Sequence, residues 1–268
     1  MLKITLIKLG GSVITDKNTP YTAKFEKIRQ LAREIKIAYD KGYKFIIAHG
    51  SGSFGHISAA KFKTANGLKN KKSVYGLAIV QKDAIAINRI VNDLFLKEKL
   101  PVLSFMPSSF SFADDKKLTK IFVEPIIKSI KIGSLPLVFG DIILDQKFGC
   151  CIFSGETTLD NLINPLLKNG FAIERVIQCG NTDGVYAEDG KIIDKITPSL
   201  FKKLEKSIGG SVSVDVTGGM LHKIKECLKM AERGIDSLII NGEKEGNLLK
   251  AILGESVTGT LITKNDKI

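Results

Sequence analysis

The stretch His49-Gly50-Ser51-Gly52-Ser53-Phe54-Gly55-His56 sets a run of small residues between two histidines, directly after the apolar Phe45-Ile46-Ile47-Ala48. A strand that ends in glycines exposes backbone N–H groups with no side chain in front of them, which suits an oxyanion or a phosphate. His56 adds a titratable group at the rim of that turn. A second glycine turn follows Ile4-Thr5-Leu6-Ile7-Lys8-Leu9 as Gly10-Gly11-Ser12. Lys8 stands near the end of an apolar strand, where a buried ammonium is costly without an anionic partner. It reads either as a phosphate clamp completed by the glycine amides or as a snorkelling edge lysine. Neither Gly-x-x-x-x-Gly-Lys-[Ser/Thr] nor a Gly-x-Gly-x-x-Gly turn follows that strand. Lys17, in Thr15-Asp16-Lys17, is by itself an ordinary surface lysine. In Asp215-Val216-Thr217-Gly218-Gly219-Met220-Leu221-His222-Lys223-Ile224, a glycine-rich turn runs into an amphipathic helix. The helix start attracts anions and Lys223 can reach back over it; the alternative is a capped helix with an exposed lysine, and His222 reads as a surface residue. Gly180-Asn181-Thr182-Asp183-Gly184-Val185-Tyr186 is a turn, or a seat for a base and ribose.

These turns need a scaffold that brings them to one edge. Apolar runs at Ile4–Leu9, Lys44–Ala48, Pro101–Ser104, Leu135–Phe139, Arg175–Cys179 and Ser237–Ile240 predict strands. Helical periodicity predicts helices over Lys24–Lys41, Ser73–Lys99, Thr157–Asn169, Gly219–Arg233 and Gly246–Leu253. Near-continuous apolar strands alternating with helices imply a mainly parallel sheet covered on both faces, in an α/β fold. Residues 141–153 read as a hairpin and 259–263 as a last strand. Glycines follow most of the strands, and ligands of open α/β sheets bind beyond the carboxyl ends of the strands, so a phosphate-rich ligand is expected there.

The chain has 268 residues, of which 44% are hydrophobic, enough for one large domain or two tightly joined lobes. No apolar run approaches the ~20 residues that span a bilayer. The lysine-broken start reads as a first strand rather than a signal peptide. Cys150, Cys151, Cys179 and Cys227 lack metal-site spacing and read as reduced, buried thiols of a cytosolic protein. The formal charge of +12 is spread along the chain with no arginine stripe or aromatic ladder. That favours a solvated surface and a polyanionic small molecule over nucleic acid.

Ile7-Lys8-Leu9-Gly10-Gly11-Ser12, His-Gly-x-Gly-Ser-Phe-Gly-His, Thr-Asp-Gly-Val-Tyr and Asp-Val-Thr-Gly-Gly-Met-x-x-Lys occur in this order. Together they resemble the amino acid kinase superfamily over essentially the whole chain and, within it, the isopentenyl phosphate kinases. The Ser-Phe-Gly-His56 ending is the selective part, shared with the fosfomycin kinases. The resemblance implies a three-layer αβα sandwich around a central mainly parallel sheet, one domain over 1–268. Within it, 1–170 would be an acceptor-binding lobe and 171–268 a nucleotide-binding lobe. It implies transfer of the ATP γ-phosphoryl group to isopentenyl phosphate, with ATP and Mg²⁺ as cofactors, in a cytoplasmic homodimer with no membrane or nucleic-acid partner. Lys8, Gly10, Gly11 and Ser12 would hold the ATP phosphates, joined by Gly52, Asn181, Tyr186, Gly219 and Lys223. Ser51, His56 and Gly155 would hold the acceptor, Ser51 adding a hydroxyl donor. Lys8, Lys17, His56 and Lys223 would be the catalytic set, oriented by Glu156 or Asp160. Tyr75, Ala78, Ile79, Ile85, Ala86, Ile90, Phe105, Met106 and Phe110 are the pool from which an apolar tail wall would be drawn. The alternatives are phosphonate phosphorylation and a non-catalytic nucleotide- or phosphate-binding module.

Overall fold

The computed structural model describes residues 1–187, 189–208 and 218–265. In chain order the first elements are β1 (Leu2–Leu9), α1 (Gly11–Ile14), α2 (Phe25–Asp40), β2 (Phe45–His49), α3 (Gly52–Phe62) and α4 (Lys71–Lys97). Next come β3 (Val102–Ser104), α5 (Pro107–Phe110), β4 (Ser111–Asp114), β5 (Lys117–Ile121), α6 (Glu124–Lys131), β6 (Leu135–Phe139), β7 (Asp141–Asp145) and β8 (Gly149–Phe153). The chain continues through α7 (Gly155–Lys168), β9 (Phe171–Gly180), β10 (Lys195–Ile196), α8 (Pro198–Ile208), α9 (Gly218–Glu232), β11 (Ser237–Asn241), α10 (Asn247–Leu253) and β12 (Gly259–Ile262).

Among the described residues, eight strands form one sheet in the order β10-β12-β11-β9-β1-β2-β6-β3. Its pairs are parallel except β11 with β12. All six strands expected from apolar runs lie in it. The alternation of a strand decides which helices each residue meets. Ile7 and Leu9 of β1 join Phe45 and Ile47 of β2 in a core with residues of α2, α4 and α10. Ile4 and Leu6 join Ile46, Ala48 and Val176 in a second core with α6 and α7 on the opposite face. The result is the expected three-layer sandwich. Lys8 shares the parity of Ile4 and Leu6, so it belongs to the face covered by α7.

The segment 141–153 is the expected hairpin, β7 paired antiparallel with β8. It belongs to a separate four-stranded sheet with β4 and β5, whose polar, exposed sequence gave no strand signal. Two boundaries matter for the site. Helix α7 begins at Gly155, two residues before the expected Thr157, because Ser154 caps it by accepting from the Thr157 N–H at 3.0 Å. The turn expected over 50–56 is instead the start of α3. Its apolar residues Phe54, Ile57, Ala59, Ala60 and Phe62 are scattered around the helix, so no period marks it in the sequence.

Candidate active site

The two glycine turns meet backbone to backbone. A methyl group on Gly11 would lie 2.7 Å from the Cα and N of Gly52, and one on Gly50 would lie 2.9 Å from the Gly11 N. Only glycine permits this approach, and Gly52 also has a left-handed φ of +49°. Thr15 staples the turns. Its buried hydroxyl donates to the Gly11 carbonyl at 2.6 Å and accepts from the Ser53 N–H at 3.0 Å. Sequence reasoning passed over Thr15 because a threonine after a strand and turn has no distinguishing pattern. A third backbone segment closes on the same point. A methyl on Gly155 would lie 2.9 Å from the His49 carbonyl oxygen, and Gly140 packs against the Gly155 amide. The starts of α1, α3 and α7 therefore converge at the carboxyl edge of β1, β2 and β6. The first N–H groups of a helix have no partner within it and carry its positive dipole end.

Lys8 enters this junction from β1, nearly buried, and forms an ion pair with Glu156 of α7, which is also buried. Burial pushes the Glu156 carboxyl up, but the Lys8 ammonium and its hydrogen bond, with a contribution from Lys223, hold it below the ordinary glutamate value. Lys223, on α9, brings its ammonium to the end of β9, where a methyl on Gly180 would lie 3.2 Å from Nζ. Burial and the like charge of Lys8 lower its pKa to about 8, against the pull of Glu156. Two ammonium groups thus share one carboxylate, a deficit of negative charge that a phosphate chain would fill. Glu156, not Asp160, orients the lysine: Asp160 is bound to Arg233 on the outer side of α7. Gln178 lies level with Lys8 in the β1–β9 register, fully buried, and its amide has no partner among the described residues.

On the β9 side, Asn181 is exposed, and its side-chain oxygen lies 3.5 Å from the Ser12 hydroxyl that donates to it, which ties the turn after β1 to the turn after β9. Tyr186 is half-buried, and its hydroxyl accepts from the Asp183 N–H at 3.4 Å. Asp183 is held by Lys244 at 2.7 Å and by the Asn241 amide at 3.0 Å, and the Lys244 hydrogen bond keeps its carboxyl below the usual range. Gly219 and Lys223 lie one turn apart at the start of α9; Asp215, Val216 and Thr217 of that motif lie outside the described residues.

His56 is a correction to the sequence reading. It sits in the second turn of α3, on the exposed side of that helix, rather than at the rim of a turn. Partial desolvation, then the charges of Lys17 and Lys8, lower its pKa, with Glu156 opposing. The exposed Lys17 therefore bears electrostatically on the same space as Lys8 and His56. The Ser51 hydroxyl, expected as a donor to a ligand, donates instead to the Gly140 carbonyl at 2.9 Å. Among the residues pooled for an apolar wall, Ala86 and Ile90 pack against the α2–α4 core and Phe105 and Phe110 against the α7 core. Tyr75 is exposed with its ring edge-on to Phe62, while Ile79, Ile85 and Met106 remain half-buried. The four cysteines are free and buried, and burial pushes Cys179 and Cys227 up to about 12.

Among the described residues no group of three or more His, Cys, Asp or Glu gathers to hold a metal ion, and no helix is long and apolar enough to cross a membrane. What the junction offers is directional N–H groups and fixed ammonium charge, the equipment for binding and neutralising phosphates.

Comparison with known proteins agrees with this chemistry. The model of the amino acid kinase family matches residues 3–241. The chain is 37% identical to the isopentenyl phosphate kinase of Methanocaldococcus jannaschii, covering 97% of this chain and 98% of that one. It is 34% identical to the isopentenyl phosphate kinase of Methanothermobacter thermautotrophicus, covering 96% and 98%. A solved structure of isopentenyl phosphate kinase superposes with a TM-score of 0.81 at 30% identity, over 97% of this chain and all of the other.

Proposed function

This chain belongs to the amino acid kinase family, and we propose that it transfers the γ-phosphoryl group of ATP to isopentenyl phosphate, giving isopentenyl diphosphate and ADP. The observation that carries the reading is the direct backbone contact of Gly11 with Gly52 beside the Lys8–Glu156 pair and Lys223. An ATP phosphate chain on one turn and an acceptor phosphate on the other would be neighbours by construction.

The acceptor is a phosphate monoester whose oxygens are already anionic near neutral pH, with a second pKa of roughly 6 as for protein phosphates. No strong general base is required. One acceptor oxygen attacks the γ-phosphorus, the bond to the bridging oxygen of ADP breaks, and ADP leaves with that electron pair. The difficulty is to bring two polyanions into line, so catalysis is positioning and charge neutralisation. In this proposal Lys8, Gly10, Gly11 and Ser12 hold the ATP phosphates with Gly52, Gly219 and Lys223. Asn181 and Tyr186 serve the nucleoside. Lys17 closes on the transferring group from the exposed segment after α1. The Ser51 and Gly155 backbone and the His56 side chain hold the acceptor phosphate. His56 donates a hydrogen bond, and a bound dianion raises its pKa from the depressed value of the free protein. The Mg²⁺ expected of this reaction class would supply charge neutralisation at the transferring phosphates beside Lys8 and Lys223.

Residues 1–170 then supply the acceptor side together with the glycine turn under the ATP phosphates, and 171–268 the nucleoside contacts, Gly219 and Lys223, in a cytoplasmic homodimer. Exposed Leu96 and Leu103, at the end of α4 and on the edge strand, are apolar surface that a dimer would cover. ADP release measured side by side with isopentenyl phosphate, dimethylallyl phosphate, fosfomycin and acetylglutamate tests the reading. Fastest turnover on isopentenyl phosphate is expected. Preference for fosfomycin or acetylglutamate, or no ADP release with any of them, overturns it.

A further inference from the structure

His49 is a buried histidine that the transfer chemistry leaves unused. It is the last residue of β2, fully buried, with its ring stacked on Phe139 at 5.6 Å between centroids and 14° between planes. Nδ1 lies 3.0 Å from the carbonyl oxygen of Gly50, and Nε2 lies 3.1 Å from the side-chain nitrogen of Asn88 on α4. The Ser104 hydroxyl at the end of β3 donates to Asn88 Oδ1 at 2.5 Å.

The chemistry of these groups fixes every proton. A carbonyl can only accept, so the imidazole carries its hydrogen on Nδ1. Nε2 then presents a lone pair and takes the Asn88 N–H, while Asn88 Oδ1 takes the Ser104 O–H. Burial lowers the His49 pKa to about 4, so the ring stays neutral at ordinary pH and the pattern is stable. A hydrogen-bonded chain thus runs from the edge strand through α4 to the peptide that opens the second glycine turn.

That peptide is trans, as every peptide among the described residues is, so its C=O and its N–H point in opposite directions. Holding the Gly50 carbonyl toward the imidazole turns the Ser51 N–H to the other side, directly ahead of Gly52, the first residue of α3. Glycine at position 50 offers little resistance to a peptide flip. A flipped peptide would aim a carbonyl oxygen at the place where a phosphate oxygen is to sit.

We propose that His49 is a positioning residue that locks the Gly50–Ser51 peptide with its N–H toward the acceptor phosphate, and that Asn88 and Ser104 set the tautomer that makes the lock. The inference rests on residues 50–56 being the acceptor site.

Two substitutions separate this role from simple packing. His49→Asn places an amide N–H where Nδ1–H stood, whereas His49→Leu removes the donor; both lose the stacked ring and both lower Tm. The expected result is at least a tenfold rise in the acceptor KM for His49→Leu, with the ATP KM within about twofold, and a near-normal acceptor KM for His49→Asn. Equal rises in both variants, or none in either, overturn the proposal. If His49→Leu does not fold, Asn88→Ala keeps the ring but frees its tautomer, and a smaller rise in the acceptor KM alone is expected; an unchanged value overturns the proposal. Calorimetric titration with inorganic phosphate reads the same turn without turnover. Wild-type protein that binds phosphate but releases no ADP would fail the functional reading alone. Phosphate binding that His49→Leu leaves intact would fail the lock.

Discussion

Replacing Gly11 by alanine is the sharpest test of how the two turns cooperate. The φ of Gly11 is not in the left-handed region, so alanine meets no backbone strain there. As the first residue of α1 it even gains helix propensity. The added methyl clashes with the Gly52 backbone at 2.7 Å, the Gly50 carbonyl carbon being in ordinary contact at 3.7 Å; since ordinary contact begins at 3.4 Å, the turns must part by roughly 0.7 Å. Backbone on both sides cannot rotate aside as a side chain would. A misplacement of about 1 Å at reacting groups costs on the order of 100-fold in rate, so kcat should fall about 30- to 100-fold. Each turn keeps its own amides, so both KM values should change less than about threefold. Initial rates of ADP release at varied ATP and varied isopentenyl phosphate give the three constants, and thermal melts report folding. Gly42→Ala is the control, because nothing lies within 4 Å of its added methyl although its φ is +90°. It should lower Tm without touching kcat. A Gly11→Ala enzyme with kcat within threefold of wild type, or with only a KM raised, would refute the idea that the Gly11–Gly52 contact sets the alignment of the phosphates.

The pKa of about 8 at Lys223 predicts that kcat/KM for ATP declines as pH rises through that value, because the free enzyme loses an ammonium there; Lys223→Arg should flatten that limb. Glu156→Gln leaves two buried ammonium groups without their carboxylate, and losing one partner of a buried pair costs about 3–5 kcal/mol. Because the folded Glu156 pKa is depressed, its contribution is present above the 4.5 of an ordinary glutamate and fades as pH falls below it. The Tm gap between the two proteins should therefore be wide at pH 7 and narrow in acid, and a gap that stays constant with pH would show that the pair is not its source. His56→Ala should raise the acceptor KM far more than the ATP KM; steady-state kinetics showing the reverse would remove His56 from the acceptor side. Asp160→Asn, which disturbs only the partner of Arg233, should leave kcat within about twofold in the same assay.

Much of this protein follows from its sequence because two local signals were strong. Apolar strands with the parity of Ile4, Leu6 against Ile7, Leu9 fix a sheet buried on both faces, and the glycines at their ends mark the edge where ligand chemistry sits. The order of the four motifs singles out Lys8, His56 and Lys223 as site candidates. What the sequence left open concerned partners remote in the chain. Whether Glu156 or Asp160 faces Lys8 turns on the start of α7, which Ser154 moves to Gly155 by capping. The Ser51 hydroxyl could be assigned to a ligand until the fold placed the Gly140 carbonyl beside it. Helix α3 was hidden by its glycines and its scattered apolar residues, which offer no period. Thr15 meets both turns only because the Gly11, Gly50 and Gly52 backbones are pressed together, and His49 meets Asn88 and Phe139 only in the packed fold. Periodicity and turn chemistry are local, so the sequence determines them alone. Orientation of a buried charge or a peptide plane depends on which backbone lies opposite, and only the packed tertiary structure decides that.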